Sequence, residues 1–175
     1  MFWDEFGFSF QELLATTWAR KGKRPIFRRV AKERRAVSTA VALTLSGKIY
    51  KRHFEGSIKS ENLITALEHV QRQVPGLVIL IWDRASIHKS QETKRYLQKH
   101  PEIRVEELPA YAPQLNPEEF CHGNVKQRLK NARPKTKEEI RSMLDRGFAR
   151  LRRRPDLLLG FFHTAGLSVR QLRLT

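Results

Sequence analysis

The chain has 175 residues, with 34 Lys and Arg against 18 Asp and Glu, a formal net charge of +16 and a pI near 10.7. That length suits one domain, 1–175, able to bury about two-thirds of its unfolded surface without disulfides or structural metals. Cys121 is the only cysteine, which excludes an intramolecular disulfide and points to a reducing compartment, and the longest apolar run, Leu77 to Trp82, is far too short to span a membrane. The amino terminus also lacks the basic-then-apolar order of a signal peptide, so the cytosol is the expected setting. The excess of positive charge implies a polyanionic partner, nucleic acid first of all. Basic residues gather between Arg20 and Arg35 and again between Arg146 and Arg154, the alternative being ordinary solvated faces.

Phe2 to Phe10 alternates as a strand that puts Phe2, Asp4, Phe6, Phe8 and Phe10 on one side and Glu5 on the other. Ala36 to Leu45 is rich in Val, Thr and Leu, stops at the turn signal Ser46-Gly47, and resumes as an antiparallel partner from Ile49 to Phe54. A helix follows with Leu63, Leu67 and Val70 on one face and Ser60 as its cap, ending before Pro75. The run Leu77 to Trp82, closed by Asp83, reads as a central strand covered on both faces. A helix from Lys89 to Lys99, a strand from Ile103 to Leu108 and a Pro-rich loop lead to Asn116, a good cap, and Pro117, a good first helical residue. That helix runs to about Asn131, and two more, Lys137 to Arg153 and Pro155 to Phe162, close the chain. The order predicts an α/β protein of the ribonuclease H-like fold. Its mixed central sheet has three antiparallel strands, then two parallel, with flanking and additional C-terminal helices.

An aspartate at the carboxyl end of an apolar strand lies where α/β sheets carry their chemistry. Three carboxylates, Asp4, Asp83 and a glutamate from the pair Glu118-Glu119, come from two strands and a helix start. Such a set suits two hard divalent ions, and paired ions activate the attacking oxygen and stabilise the leaving oxygen of a phosphodiester. Glu119 alone could equally be a capping-box glutamate three residues after Asn116. Helical spacing from Cys121, Val125 and Leu129 puts Glu118 more centrally on the apolar stripe than Glu119.

Several segments together resemble the catalytic domain of bacterial insertion-sequence transposases of the Tc/mariner superfamily. They are Asp4-Glu5-Phe6-Gly7-Phe8, Thr17 to Gly22 with Pro25, Gly56-Ser57-Ile58, Trp82 to Ser90, and Leu108 to Glu119, which includes the run Y-A-P-x-L-N-P-x-E. The resemblance implies a D-D-E triad made of Asp4, Asp83 and Glu119, the last two separated by 35 residues as in the family. It further implies two Mg²⁺ (or Mn²⁺) ions held by those three residues, cleavage of DNA at transposon ends, and transfer of the freed strand into target DNA. Glu118 stands as an accessory or substitute ligand, and His88 matches a family histidine that supports the site or contacts DNA, a helix cap being the plainer reading. Arg20, Lys21, Lys23, Arg24, Arg28, Arg29, Lys89 and Lys126 are the expected phosphate contacts. Trp18 and Tyr111 match family aromatics, though burial would explain them as well.

The chain departs from the family at His122 and Val125, where tryptophan and leucine are usual, and at Glu118, where the usual residue is apolar. With only three residues before Asp4, the helix-turn-helix module of the family is expected to be absent. An upstream reading frame would then supply it, or the chain would be a remnant. The expected partners are double-stranded DNA, as transposon ends and target, and a second copy in a homodimer, in the nucleoid-associated cytoplasm of a bacterium. A basic remnant that binds nucleic acid without cutting is the competing reading. A host ribonuclease or repair nuclease on the same fold is a third, disfavoured by the N-P-x-E run.

Overall fold

The computed structural model describes residues 1–10, 18–22, 37–130, 132 and 134–169. Its strands are β1 (Phe2–Phe8), β2 (Val37–Leu43), β3 (Ile49–Glu55), β4 (Val78–Trp82) and β5 (Ile103–Glu107). Helices α1 (Ser60–Gln71) and α2 (Gln91–Lys99) interleave with the later strands, and α3 (Pro117–Arg128), α4 (Lys137–Arg152) and α5 (Pro155–Thr164) follow. The sheet order is β3-β2-β1-β4-β5, antiparallel across β3, β2 and β1 and parallel across β1, β4 and β5. This is the mixed sheet expected from the element order.

Alternation along β1 divides the protein into two cores. Phe2, Phe6 and Phe8 join Val41, Cys121, Val125, Leu144, Phe148 and Phe162 on the face covered by α3, α4 and α5. Trp3 joins Leu63, Leu67, Leu80, Trp82 and Tyr96 on the face covered by α1 and α2. Asp4 therefore points toward α3, and Glu5 toward the opposite layer. Gly147 lets α4 approach α3 closely, since a methyl group there would stand 2.7 Å from Val125 Cγ1.

Four expectations need correction. β4 is not fully covered on both faces: Val78, Leu80 and Trp82 are buried, but Leu77 and Ile79 are at least half exposed, because α3 to α5 lie over β1 to β3 and of β4 only Ile81 packs against their core. Ser60 is the first helical residue of α1, not its cap; the flanking position is Lys59, whose amide donates to Asn62 Oδ1 at 3.0 Å. The aromatics Trp18 and Tyr111 are fully exposed, so burial does not account for either. The first strand also ends at Phe8 rather than Phe10. None of the described helices is long and apolar enough to cross a membrane.

Candidate active site

Phe2 of β1 pairs in parallel with Ile81 of β4. Two residues further along come Asp4, within β1, and Asp83, one residue past the end of β4, so the pairing carries both aspartates toward the same end of the sheet. Asn116 brings the third segment in. Its Oδ1 accepts from the Glu118 amide at 3.1 Å, which caps α3 as expected, and its Nδ2 donates to the Trp3 carbonyl at 3.1 Å. One buried side chain thus starts α3 and fastens that start to β1 beside Asp4.

The two glutamates of α3 have different surroundings. Glu118 is wholly buried, its Oε2 2.9 Å from His122 Nδ1. Glu119 is partly exposed, its Oε2 2.9 Å from His122 Nε2, and its side chain does not reach back to the helix cap. Asp4 Oδ1 accepts from the Glu5 amide at 2.8 Å, while its Oδ2 is buried without a hydrogen-bond partner, 3.6 Å from His122 Nδ1. Among the described residues, Asp4, Glu119 and His122 could hold a metal ion, each offering a ligand atom within 4.8 Å of the others. His122 also stacks on Phe6, ring centroids 4.8 Å apart.

Asp83 lies outside that trio, at the surface end of β4, with 58% of its side chain exposed. Its Oδ1 accepts from the Ala85 amide at 3.0 Å, closing an Asx turn. His88 stands behind it. Nδ1 is 2.9 Å from Asp83 Oδ1, Nε2 is 3.1 Å from Glu5 Oε1, and the ring lies parallel to Trp82 at 4.1 Å. Glu5 also accepts from Trp3 Nε1. A cleft of about 500 Å³ joins the regions, with Asp83 and Glu119 on its wall beside Arg84, Lys89 and Tyr111. Tyr111 has a φ of 57°, a left-handed conformation uncommon for a bulky residue.

The electrostatics follow from this crowding. Burial and then the Glu118 carboxylate push Asp4 well above the usual carboxylate range. Burial likewise raises Glu118, whereas contact with His122 lowers Glu119. For His122, burial alone would lower the pKa, but the carboxylates of Glu118, Glu119 and Asp4 push it up to about 10. His88 shows the same balance: burial opposes protonation, and Asp83 and Glu5 push it up to about 10. Asp83 in turn is held low by His88. Each carboxylate set is therefore neutralised in part by an imidazolium.

Of the expected phosphate contacts, Arg20 and Lys21 are exposed, and Lys89 is exposed on the cleft wall. Lys126 lies with Nζ 5.1 Å from the centre of the Phe6 ring. Lys23, Arg24, Arg28 and Arg29 lie outside the described residues. In the second basic stretch, Arg150 donates to Asn124 Oδ1, Arg152 to the Ile49 carbonyl and Arg154 to Asp156. Three of its cations thus have internal partners. The sequence pattern did not single out Arg84, and it marked His122 only as a departure in packing. The i, i+4 relation of Glu118 to His122 was the signal that the two meet on one helix face.

Asp83 from the end of β4 and Glu119 from the start of α3 open on a cleft with basic residues, and Asp4 of β1 is buried beside Glu119. The sequence matches the family described as DDE superfamily endonuclease over residues 1–141, and the chain belongs to that family. No curated protein matches it in sequence. Among solved structures, the chain resembles the Mos1 transposase paired-end complex with left transposon end, at 18% identity and a TM-score of 0.62 over 94% of this chain and 55% of that one. The Mos1 strand transfer complex aligns at 18% identity and 0.64, over 94% of this chain and 54% of that one. The Mos1 transposase catalytic domain with raltegravir and Mg aligns at 21% and 0.56, over 74% of this chain and 75% of that one. These matches show the fold, which is ribonuclease H-like. The chain spans about half the length of the Mos1 chains in the paired-end and strand transfer complexes.

Proposed function

We propose that this chain is the catalytic domain of a DNA transposase, with Asp4, Asp83 and Glu119 as its acidic triad. The observation that carries the proposal is the meeting of Asp83 and Glu119 on one cleft, with the unpartnered, buried Oδ2 of Asp4 beside Glu119. An orphaned carboxylate oxygen next to a second carboxylate suits a divalent cation, so the residues present fit Mg²⁺ or Mn²⁺. The chemistry supplied by two such ions, when bound, is activation of the attacking oxygen and stabilisation of the leaving oxygen.

The chain's own residues do the rest. His88, fixed by Glu5 and by its stack on Trp82, orients Asp83 at the cleft wall. Arg84 and Lys89 hold phosphates of the entering strand, and Arg20 and Lys21 extend the basic track, with Lys23, Arg24, Arg28 and Arg29 next in the chain. The exposed ring of Tyr111 offers a stacking face to a base. Hydrolysis at the end of the element leaves a 3′-hydroxyl and a 5′-phosphate. That hydroxyl then attacks a target phosphodiester, so one bond forms as one breaks. Double-stranded DNA is the substrate, and a homodimer with a helix-turn-helix from the same or an upstream reading frame completes the recognition of transposon ends.

The test is metal-dependent nicking of supercoiled DNA carrying the element's ends, with a DNA-reading module supplied. Cleavage should require Mg²⁺ or Mn²⁺, stop with EDTA and be lost in Asp83→Asn. Equal cleavage by Asp83→Asn and the parent chain would defeat the proposal. One observation favours a second reading, DNA binding without cleavage: Asp83 lies outside the Asp4, Glu119 and His122 group. Under that reading, salt-sensitive DNA binding persists and no metal-dependent nicking appears.

A further inference from the structure

We infer that His122 gives an imidazole nitrogen to the divalent cation held by Asp4 and Glu119, with Glu118 orienting the ring, and that this mixed donor set favours Mn²⁺ and its first-row neighbours over Mg²⁺. The inference rests on the metal-site reading above and adds a ligand and a selectivity to it. Three geometric facts support it. First, His122 Nε2 stands 2.9 Å from Glu119 Oε2. Two ligands at adjacent corners of an octahedron with bonds of about 2.1 Å are about 3 Å apart, so that spacing suits a shared ion as well as a shared proton.

Second, Glu118 is fully buried, and its contact inside the site is with His122 Nδ1 at 2.9 Å. A carboxylate that accepts from one ring nitrogen and leaves the other facing a ligand, here Glu119, is the outer partner that metal-bound histidines characteristically have. Burying such a pair stabilises a fold no better than apolar residues of similar size, so packing alone does not call for Glu118 and His122. Third, the ring is held by its stack on Phe6, and Asp4 Oδ2, which has no hydrogen-bond partner, lies 3.6 Å from Nδ1, with one ligand atom each from Asp4, Glu119 and His122 within 4.8 Å of one another. His88 offers no such opening, because its two nitrogens face Asp83 and Glu5 on the other side of the sheet.

Binding exchanges bonds one for one. The Nε2 lone pair takes up the cation in place of one water, and the Nε2 proton leaves to solvent. Mg²⁺ gives up water reluctantly and prefers oxygen, whereas imidazole suits the first-row transition ions.

The experiment is pulsed electron paramagnetic resonance of Mn²⁺ bound to the purified chain, with Mg²⁺ competition read from the same signal. A ¹⁴N coupling on bound Mn²⁺ is expected. It should be lost in His122→Gln and retained in His88→Gln. The Mg²⁺ concentration that displaces half of the Mn²⁺ should fall about 10-fold or more in His122→Gln, and Glu118→Gln should weaken Mn²⁺ binding about 10–100-fold. Bound Mn²⁺ without nitrogen coupling in the parent chain overturns the inference while leaving the carboxylate site standing. Survival of the coupling in His122→Gln overturns it in the same way. Absence of Mn²⁺ binding by the parent chain overturns both. If His122→Gln does not fold, the parent chain and His88→Gln still decide the matter.

Discussion

Two histidines serve carboxylates on opposite faces of β1, and they do so differently. His88 lies under the α2 side, parallel to Trp82, between Asp83 and Glu5. His122 lies under the α3 side, stacked on Phe6, between Glu119 and Glu118. Both are pushed up to about 10 by their carboxylates, yet only His122 shares a potential ligand group with Asp4 and Glu119. A charged ring can therefore brace one carboxylate from behind, as at Asp83, or stand among the carboxylates themselves, as at Glu119. The difference follows from the alternation of β1, which sends Glu5 to one layer and Asp4 to the other.

The strongest way to break the comparison is to remove one carboxylate from each side. Asp83→Asn and Glu119→Gln should each abolish metal-dependent nicking, but only Glu119→Gln should also weaken Mn²⁺ binding at the His122 group, which a metal titration of both variants would separate. The next effect is on stability. Glu118→Ala takes the buried acceptor from His122 Nδ1, while Glu119 still faces Nε2, and should cost about 1–3 kcal/mol, whereas Glu118→Leu combined with His122→Phe should restore most of the loss, as followed by chemical denaturation. Recovery of stability without recovery of Mn²⁺ selectivity would separate packing from coordination.

A smaller effect is expected on the other face. His88→Phe keeps the stack on Trp82 and removes both nitrogens, so the fold should persist while cleavage falls about 10–100-fold, measured by single-turnover nicking. An unchanged rate would show that Asp83 needs no brace. The smallest effect concerns the cleft wall. Lys89→Ala should reduce the slope of log binding constant against log salt by about 1, uniformly across DNA sequences.

The apolar and turn patterns were enough to read the order of elements, because each is a local property of periodicity and capping. Asn116 with Pro117 announced α3, and Ser46-Gly47 announced the turn between β2 and β3. The coverage of β4 was not legible, since an apolar run records what a segment can bury and not which helices come to lie on it. Leu77 and Ile79 are exposed for that reason. The carboxylates were legible as candidates, and the glutamate pair on α3 was legible as an ambiguity. Its resolution into a wholly buried Glu118 and a partly exposed Glu119 on the cleft came from the rotation of α3 on the sheet. Asn116 and the close approach of α4 at Gly147 set that rotation.

The sequence by itself determined the residue types, their spacing along the chain and the face of β1 on which each side chain falls, since a strand's period of two is a local rule. Only the tertiary structure decided that Glu118, Glu119 and Asp4 surround one imidazole and that Glu5 reaches Asp83 through another. Those meetings depend on parallel pairing between segments 79 residues apart and on where a helix is fastened, which no local rule encodes.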